Sequence, residues 1–229
     1  MKLLFLPGSG CSANVWSHQI ARFGNGIALN LPGHPDGMPL DSVSAMADWL
    51  TDYLNKQECQ EIILVGHSLG GAVALQAAIN GHNSIKGLVL IGTGARLKVM
   101  PMILDMLGKL IESNADVPDI ILAANQGIAE PLRTQINQAI KSNGVATLLN
   151  DFNACNKFDV IEKLSAINVP MQIIAGSKDV MTPPKYAEFI HTNTQSSQLS
   201  IIDGGSHMVF AEQPIQVNAV IEKFLTEGY

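Results

Sequence analysis

Positive charge is scarce in this sequence: 14 Lys and Arg stand against 20 Asp and Glu in 229 residues, for a formal net charge of -6. Scattered as they are, these cations leave no electrostatic footprint for nucleic acid or an anionic membrane surface, so neither is expected as a partner. Cysteine is rare as well. Cys11, Cys59 and Cys155 are far apart and in no CxxC pattern, which argues against a disulfide framework and for reduced thiols in a cytoplasmic setting. Long apolar runs are missing too. The opening MKLLFL is stopped by Pro7, short of the roughly 7 to 15 residues of a secretion-signal core, and no later stretch reaches the ~18 apolar residues of a membrane span. A chain without leader or anchor is expected. His18, His34, His82 and His191 are spread without HExxH or comparable spacing, so no metal and no other cofactor is expected.

What is present is a large apolar fraction, 47% of residues against 15% charged, enough for one domain with a substantial core. The apolar residues fall in short runs: KLLFL from 2, GIALNL from 26, EIILV from 61, KGLVLI from 86, PMQIIA from 170 and QLSIID from 198. Continuous Val/Ile/Leu runs of this length fit parallel strands covered on both faces, which need crossovers of about a dozen residues or more. Helical spacing over 14–23, 43–55, 69–80, 183–191 and 213–225 supplies them, with Asp41, Thr182 and Glu212 as candidate starts. One gap of about eighty residues, between Ile91 and Met171, is too long for a single crossover. Its helical pattern, cut by glycines and Pro101, Pro118 and Pro131, predicts three or four helices. The expected organisation is a core of residues 1–95 and 158–229 with a helical cap at 96–157 inserted after the fourth strand, over the carboxyl edge where open α/β sheets bind ligands.

One stretch carries a chemical signature. In EIILVGHSLGGAVALQ, a strand pattern runs into Gly66-His67-Ser68-Leu69-Gly70 and at once into a helix pattern. A strand that turns directly into a helix strains the corner residue and exposes its side chain at the sheet edge. The helix amino terminus then favours negative charge beside Ser68. A serine nucleophile also needs a base and a group to orient that base. Asp179, in AGSKD after the fifth run, and His207, in DGGSH after the sixth, leave carboxyl ends of predicted strands and should overhang the same edge. Asp203 is the rival acid, although four residues from His207 is close for an orienting geometry. The oxyanion donors expected are the backbone N–H groups of Ser9, in the loop after the first strand, and of Leu69.

Together, Gly66 to Gly70, Asp179 in GSKD, His207 in GGSHM, Leu31-Pro32-Gly33-His34 and the PGSG loop leading to Trp16 resemble the α/β-hydrolase superfamily, nearest its small carboxylesterase-like and enol-lactonase-like members. The resemblance covers the chain outside the cap. It implies an α/β-hydrolase fold with a mainly parallel sheet of about six strands flanked by helices. It also implies Ser68 as nucleophile, His207 as base then acid, and Asp179 as its orienter. Members commonly have His-Gly where this chain has Pro7-Gly8, and carry two further antiparallel strands before the first run. An exposed sheet edge is therefore expected there. The serine nucleophile sets the chain apart from the haloalkane dehalogenase and epoxide hydrolase branches, which use aspartate.

Several other residues have two readings. His67 is expected to pack rather than react, since neighbours at a sharp turn point apart. Cys11 could line the pocket, and Cys155 is expected to pack. Met100 and Met106, with Met102, are either cap core or an apolar pocket wall, to which Met208 and Val209 beside the base would add. Arg96 and Arg133 could hold a substrate carboxylate, against the commoner reading of solvated helix-surface charges. The expected activity is cofactor-free cleavage of small, largely apolar carboxylic esters through an acyl-enzyme, by a monomer or homodimer, rising from acid to neutral pH as an imidazole base requires. A lactonase, a carbon–carbon bond hydrolase or lyase with the same triad, and a low-turnover small-molecule receptor remain alternatives, because cap shape rather than the triad sets the substrate.

Overall fold

The computed structural model describes residues 2–57 and 61–227; Cys59 lies outside them. Six strands form one sheet: β1 (Lys2–Leu6), β2 (Ile27–Ala28), β3 (Ile62–His67), β4 (Ile85–Ile91), β5 (Met171–Gly176) and β6 (Ser197–Ile202). Their order is β2-β1-β3-β4-β5-β6, and every neighbouring pair is parallel. The expected six-stranded α/β architecture is the one observed. The chain winds to one side of β1 for β2 and to the other for β3, so strand order reverses between β1 and β3. Clefts at such reversals hold the ligands of open α/β sheets.

Nine helices lie among the described residues: α1 (Ser17–Phe23), α2 (Val43–Lys56), α3 (Leu69–Ile79), α4 (Pro101–Glu112), α5 (Asp119–Leu122), α6 (Leu132–Lys157), α7 (Pro184–Thr192), α8 (Val209–Glu212) and α9 (Pro214–Glu227). None is long and apolar enough to cross a membrane. Alternate strand residues feed two cores, as a period of two demands. Leu4, Leu6, Leu64, Leu88 and Leu90 pack with α2 and α3. Phe5, Val65 and Ile91 pack on the other face with Trp16, Phe210 and Phe224. α3 is apolar nearly all round because it is buried nearly all round, from Leu69 through Ala77 with only Gln76 less covered.

Two boundaries depart from expectation. The second run shrinks to the two residues of β2, since only Leu4 and Phe5 of β1 offer it pairing. At α2 the cap is Ser42, not Asp41: its extended backbone lets the hydroxyl accept the Ala45 N–H at 3.3 Å. Between β4 and β5 come α4, α5 and the long α6, broken where Gly144 takes φ 82°. An isolated antiparallel bridge between Arg96 and Asp159 joins the two ends of this helical insertion.

Candidate active site

The site begins with register. Leu6 of β1 stands opposite Gly66 of β3, so the loop after β1, carrying Gly8 and Ser9, runs alongside the turn after β3, carrying Ser68. The two approach so closely that a Cβ on Gly70 would lie 2.2 Å from the Leu6 carbonyl oxygen. Only glycine fits there. At the turn, Ser68 adopts φ 51°, ψ -115°, a left-handed backbone that non-glycine residues avoid. Ile91 holds it by accepting the Ser68 N–H at 3.0 Å, and the Ser68 carbonyl accepts from Ala72 N at 3.1 Å and Thr93 Oγ1 at 2.8 Å. Leu69 opens α3, so its N–H has no intrahelical carbonyl.

Asp179 and His207 come together from the ends of β5 and β6. Their loops can touch because Gly176 has no side chain: a Cβ there would stand 2.3 Å from the Gly205 carbonyl oxygen. His207 Nδ1 lies 2.8 Å from Asp179 Oδ2, and Asp179 is 3% exposed. The other oxygen, Oδ1, accepts from the N–H groups of Met181 and Thr182, each at 2.9 Å, while Thr182 Oγ1 donates to Oδ2 at 2.8 Å. Burial alone would raise the Asp179 carboxyl, yet the hydrogen bond and charge of His207, with the Thr182 bonds, hold it below the usual carboxylate value. An ionised acceptor at Nδ1 fixes the proton there and leaves Nε2 as the basic nitrogen. Asp203 sits elsewhere, exposed and accepting from Ser177 Oγ at 3.2 Å.

Ser9, Ser68 and His207 line one cavity of about 60 Å³ whose remaining wall is mostly apolar, including Ile140, Leu148, Phe152 and Met208, with His67 and Asn125 as its other polar side chains. A second hollow of about 60 Å³ shares Ser9, Ser68 and His207 and continues toward Lys98 and Tyr186. In the β1 loop, Cys11 N–H bonds the Gly8 carbonyl at 3.1 Å and Gly10 N–H is taken by Asp151 Oδ2 at 2.8 Å. The preceding Ser9 N–H has no acceptor among the described residues. Ser68, His207, Asp179, Ser9 and Leu69 are thus assembled at the β1/β3 reversal.

The apolar candidates divide. Met208 walls the cavity, but Val209 is turned wholly into the core beneath α8. Met100 is 62% exposed ahead of α4, and Met106 faces a separate hollow with Met102 and Leu110. Leu107 is the one buried position of α4, and no α4 residue lines either hollow that contains Ser68. Neither Met100 nor Met106 lines the cavity shared by Ser68 and His207. Arg133 is engaged by Glu130 at 2.7 Å. Cys11 lines the cavity, and burial pushes its thiol up to about 12, as it does that of Cys155, so both are inert thiols.

Three groups support the site: His67, which packs as expected, and two that the sequence pattern does not announce, Thr182 as an orienter and the His34–Asp151 pair. His67 donates from Nε2 to the His207 carbonyl at 3.0 Å and stands 4.7 Å ring to ring from His207. Burial, then the nearby His207, lowers its pKa to about 3, so it is a neutral prop for the His207 loop. Thr182 orients Asp179. The third group is a wholly buried pair, His34 Nε2 to Asp151 Oδ2 at 2.8 Å, linking the loop after β2 to α6. His34 Nδ1 also faces the Leu31 carbonyl at 3.0 Å, so both ring nitrogens meet acceptors, an arrangement that favours the protonated, cationic ring. Burial works against that charge, but Asp151, with the Leu31 and Pro32 carbonyls, raises the His34 pKa above its ordinary value. Such a pairing across 117 positions leaves no local signal beyond a histidine after Pro-Gly.

Comparison with known proteins identifies the family. A thermophilic esterase structure is 34% identical, with a TM-score of 0.86 over 98% of this chain and 89% of that one. The pimeloyl-[acyl-carrier protein] methyl ester esterase of Neisseria meningitidis serogroup B is 25% identical over 88% of this chain and 82% of its own length. The enol-lactonase of Burkholderia xenovorans LB400, 14% identical, shares the fold with a TM-score of 0.87 over 99% and 91% of the two chains. The sequence profile of the alpha/beta hydrolase family matches residues 3–220, and with six parallel strands in the order found, this chain belongs to that family.

Proposed function

We propose that the protein is a serine hydrolase that cleaves small carboxylic esters through an acyl-enzyme, with Ser68 as nucleophile, His207 as base then acid and Asp179 as its orienter. The observation that carries this reading is the 2.8 Å His207–Asp179 bond beside a cavity that His207 shares with a positive-φ Ser68. Ser68 Oγ attacks the ester carbonyl as its proton passes to His207 Nε2. The oxyanion takes hydrogen bonds from the N–H groups of Ser9 and Leu69. Collapse breaks the C–O bond, and the alcohol leaves with the proton from His207. Water then attacks the acyl-serine, its proton going to His207, and Ser68 recovers its own as the acid departs. General acid–base help of this kind contributes roughly 10²- to 10⁴-fold, and each oxyanion donor on the order of 10²- to 10³-fold.

Residues 96–157 act in this reading as a cap, since Ile140, Leu148 and Phe152 supply part of the cavity wall. Small apolar space favours short, apolar acyl or alcohol groups. The similarity to esterases supports ester over other acyl substrates. The test is turnover of aryl esters, thioesters and lactones of graded chain length by the wild type and by Ser68→Ala. Short-chain esters should turn over in the wild type, and the variant should lose that activity while keeping its fold. Full activity in Ser68→Ala would overturn the proposal.

A further inference from the structure

Outside the catalytic cavity, a hollow of about 400 Å³ opens between the start of the helical insertion and α7. Arg96, Lys98 and Lys185 line it, with Tyr186 and Phe189 as apolar floor and no carboxylate in the wall. Three cations around one hollow run against the composition, in which acids outnumber bases 20 to 14. The hollow also adjoins the chemistry. Lys98 and Tyr186 belong equally to the lobe that contains Ser68 and His207. Lys98 Nζ is steadied by the Asn156 carbonyl at 2.8 Å, and Asn156 Oδ1 accepts the Val99 N–H at 3.2 Å. Those bonds leave two ammonium protons for a ligand. Arg96 has only a loose partner, Asp159 at 3.7 Å, and Lys185 has no ion pair among the described residues.

We propose that this hollow binds an anionic group of the substrate itself, so that the ester has one short apolar arm in the Met208-walled cavity and one arm ending in a carboxylate or phosphate among Arg96, Lys98 and Lys185. The inference rests on Ser68 being the nucleophile, and it narrows the substrate from apolar to amphiphilic esters. A concave site sharing residues with the catalytic lobe fits the tail of a small molecule rather than the flat face of an acidic protein. Arg96, one of the two arginines read from sequence as possible carboxylate holders, is placed to serve; Arg133 is not.

The experiment uses matched esters that differ only at one end, neutral, carboxylate or phosphate, prepared separately for the acyl and the alcohol arm. In low salt, the anionic member of one series should show about tenfold higher kcat/KM, carried by KM, and the preference should shrink toward unity in about 0.5 M salt as exposed cations are screened. The relative success of carboxylate and phosphate tells which anion the hollow takes. In Lys98→Glu/Lys185→Glu the ratio of anionic to neutral kcat/KM should fall about tenfold or more. Lys86→Glu makes one such charge reversal, half that of the double variant, at the opposite, amino end of β4 and should leave the ratio unchanged. Equal kcat/KM for neutral and anionic esters in both series, a ratio indifferent to the double variant, or a gain seen only when the acyl group is carried on an acidic protein would each overturn the proposal. Loss of the underlying reading looks different: no ester of any kind is turned over, and a fluorophosphonate leaves Ser68 unmodified.

Discussion

Replacing Asp151 with asparagine tests how the helical insertion holds the loop that carries Ser9. Asp151 and His34 are both 0% exposed, and the same carboxylate oxygen that meets His34 at 2.8 Å also takes the Gly10 N–H at 2.8 Å. One side chain of α6 therefore fixes the loop that presents Ser9. Removing one partner of a buried ion pair costs about 3 to 5 kcal/mol. Asparagine keeps the shape and an acceptor for Gly10, and His34 can shed its proton, so the lower end, about 3 kcal/mol, applies. At roughly 2 to 4 °C per kcal/mol for a chain of this size, Tm should fall by about 6 to 12 °C. The sign with pH is specific. Because folding raises the His34 pKa, the stabilisation is complete below the ordinary imidazole value and is lost as pH rises through the raised one. Thermal melts between about pH 6 and 10 should thus show the wild-type advantage widest near the acid end and narrowing toward the alkaline end. Below the variant's melting range, kcat should fall about tenfold or more as the Ser9 donor loses its fixed position. A Tm change under about 2 °C, or a gap constant across that pH range, would refute the reasoning.

Asp179→Asn should lower kcat by roughly 10³- to 10⁴-fold with little change in KM, since an amide favours the wrong imidazole tautomer; steady-state kinetics on an aryl ester checks this. The depressed Asp179 pKa also means that its contribution to stability is present above the ordinary carboxylate value and lost as pH falls through the folded one. An acid titration of the wild type against this variant should show the two converging at low pH. Gly70→Ala should cost about 2 kcal/mol or more, because the new methyl would meet the Leu6 carbonyl at 2.2 Å; denaturant melts and kcat should both report it. Cys11 and Cys155, with thiols pushed up to about 12, should resist iodoacetamide at about pH 8 in the native protein and react once it is unfolded, as peptide mapping can follow.

The parts of this molecule that are legible in its sequence are those where one local pattern has one physical outcome. Runs such as IILVGH and MQIIAG can be little else than doubly covered strands, and a glycine-flanked serine between strand and helix must sit at a strained corner. Asp179 and His207 are legible because each follows an apolar strand run by a short loop, although β6, before His207, is a half-exposed edge strand. What stayed hidden depends on packing between distant segments. Nothing near Asp151 announces that it meets His34 and Gly10, and nothing in the Met100–Met106 pattern says that α4 stays clear of the cavity shared by Ser68 and His207. The cationic hollow was half visible in Arg96, while Lys98 and Lys185 join it only once the insertion folds back beside α7.

The most direct test of the central claim is intact-protein mass, with peptide mapping, after treatment with a small fluorophosphonate. One adduct, on Ser68, absent from Ser68→Ala and formed far more slowly in Asp179→Asn, is the predicted result. An unmodified Ser68 in folded protein, or a label on some other residue that persists in Ser68→Ala, would contradict the account.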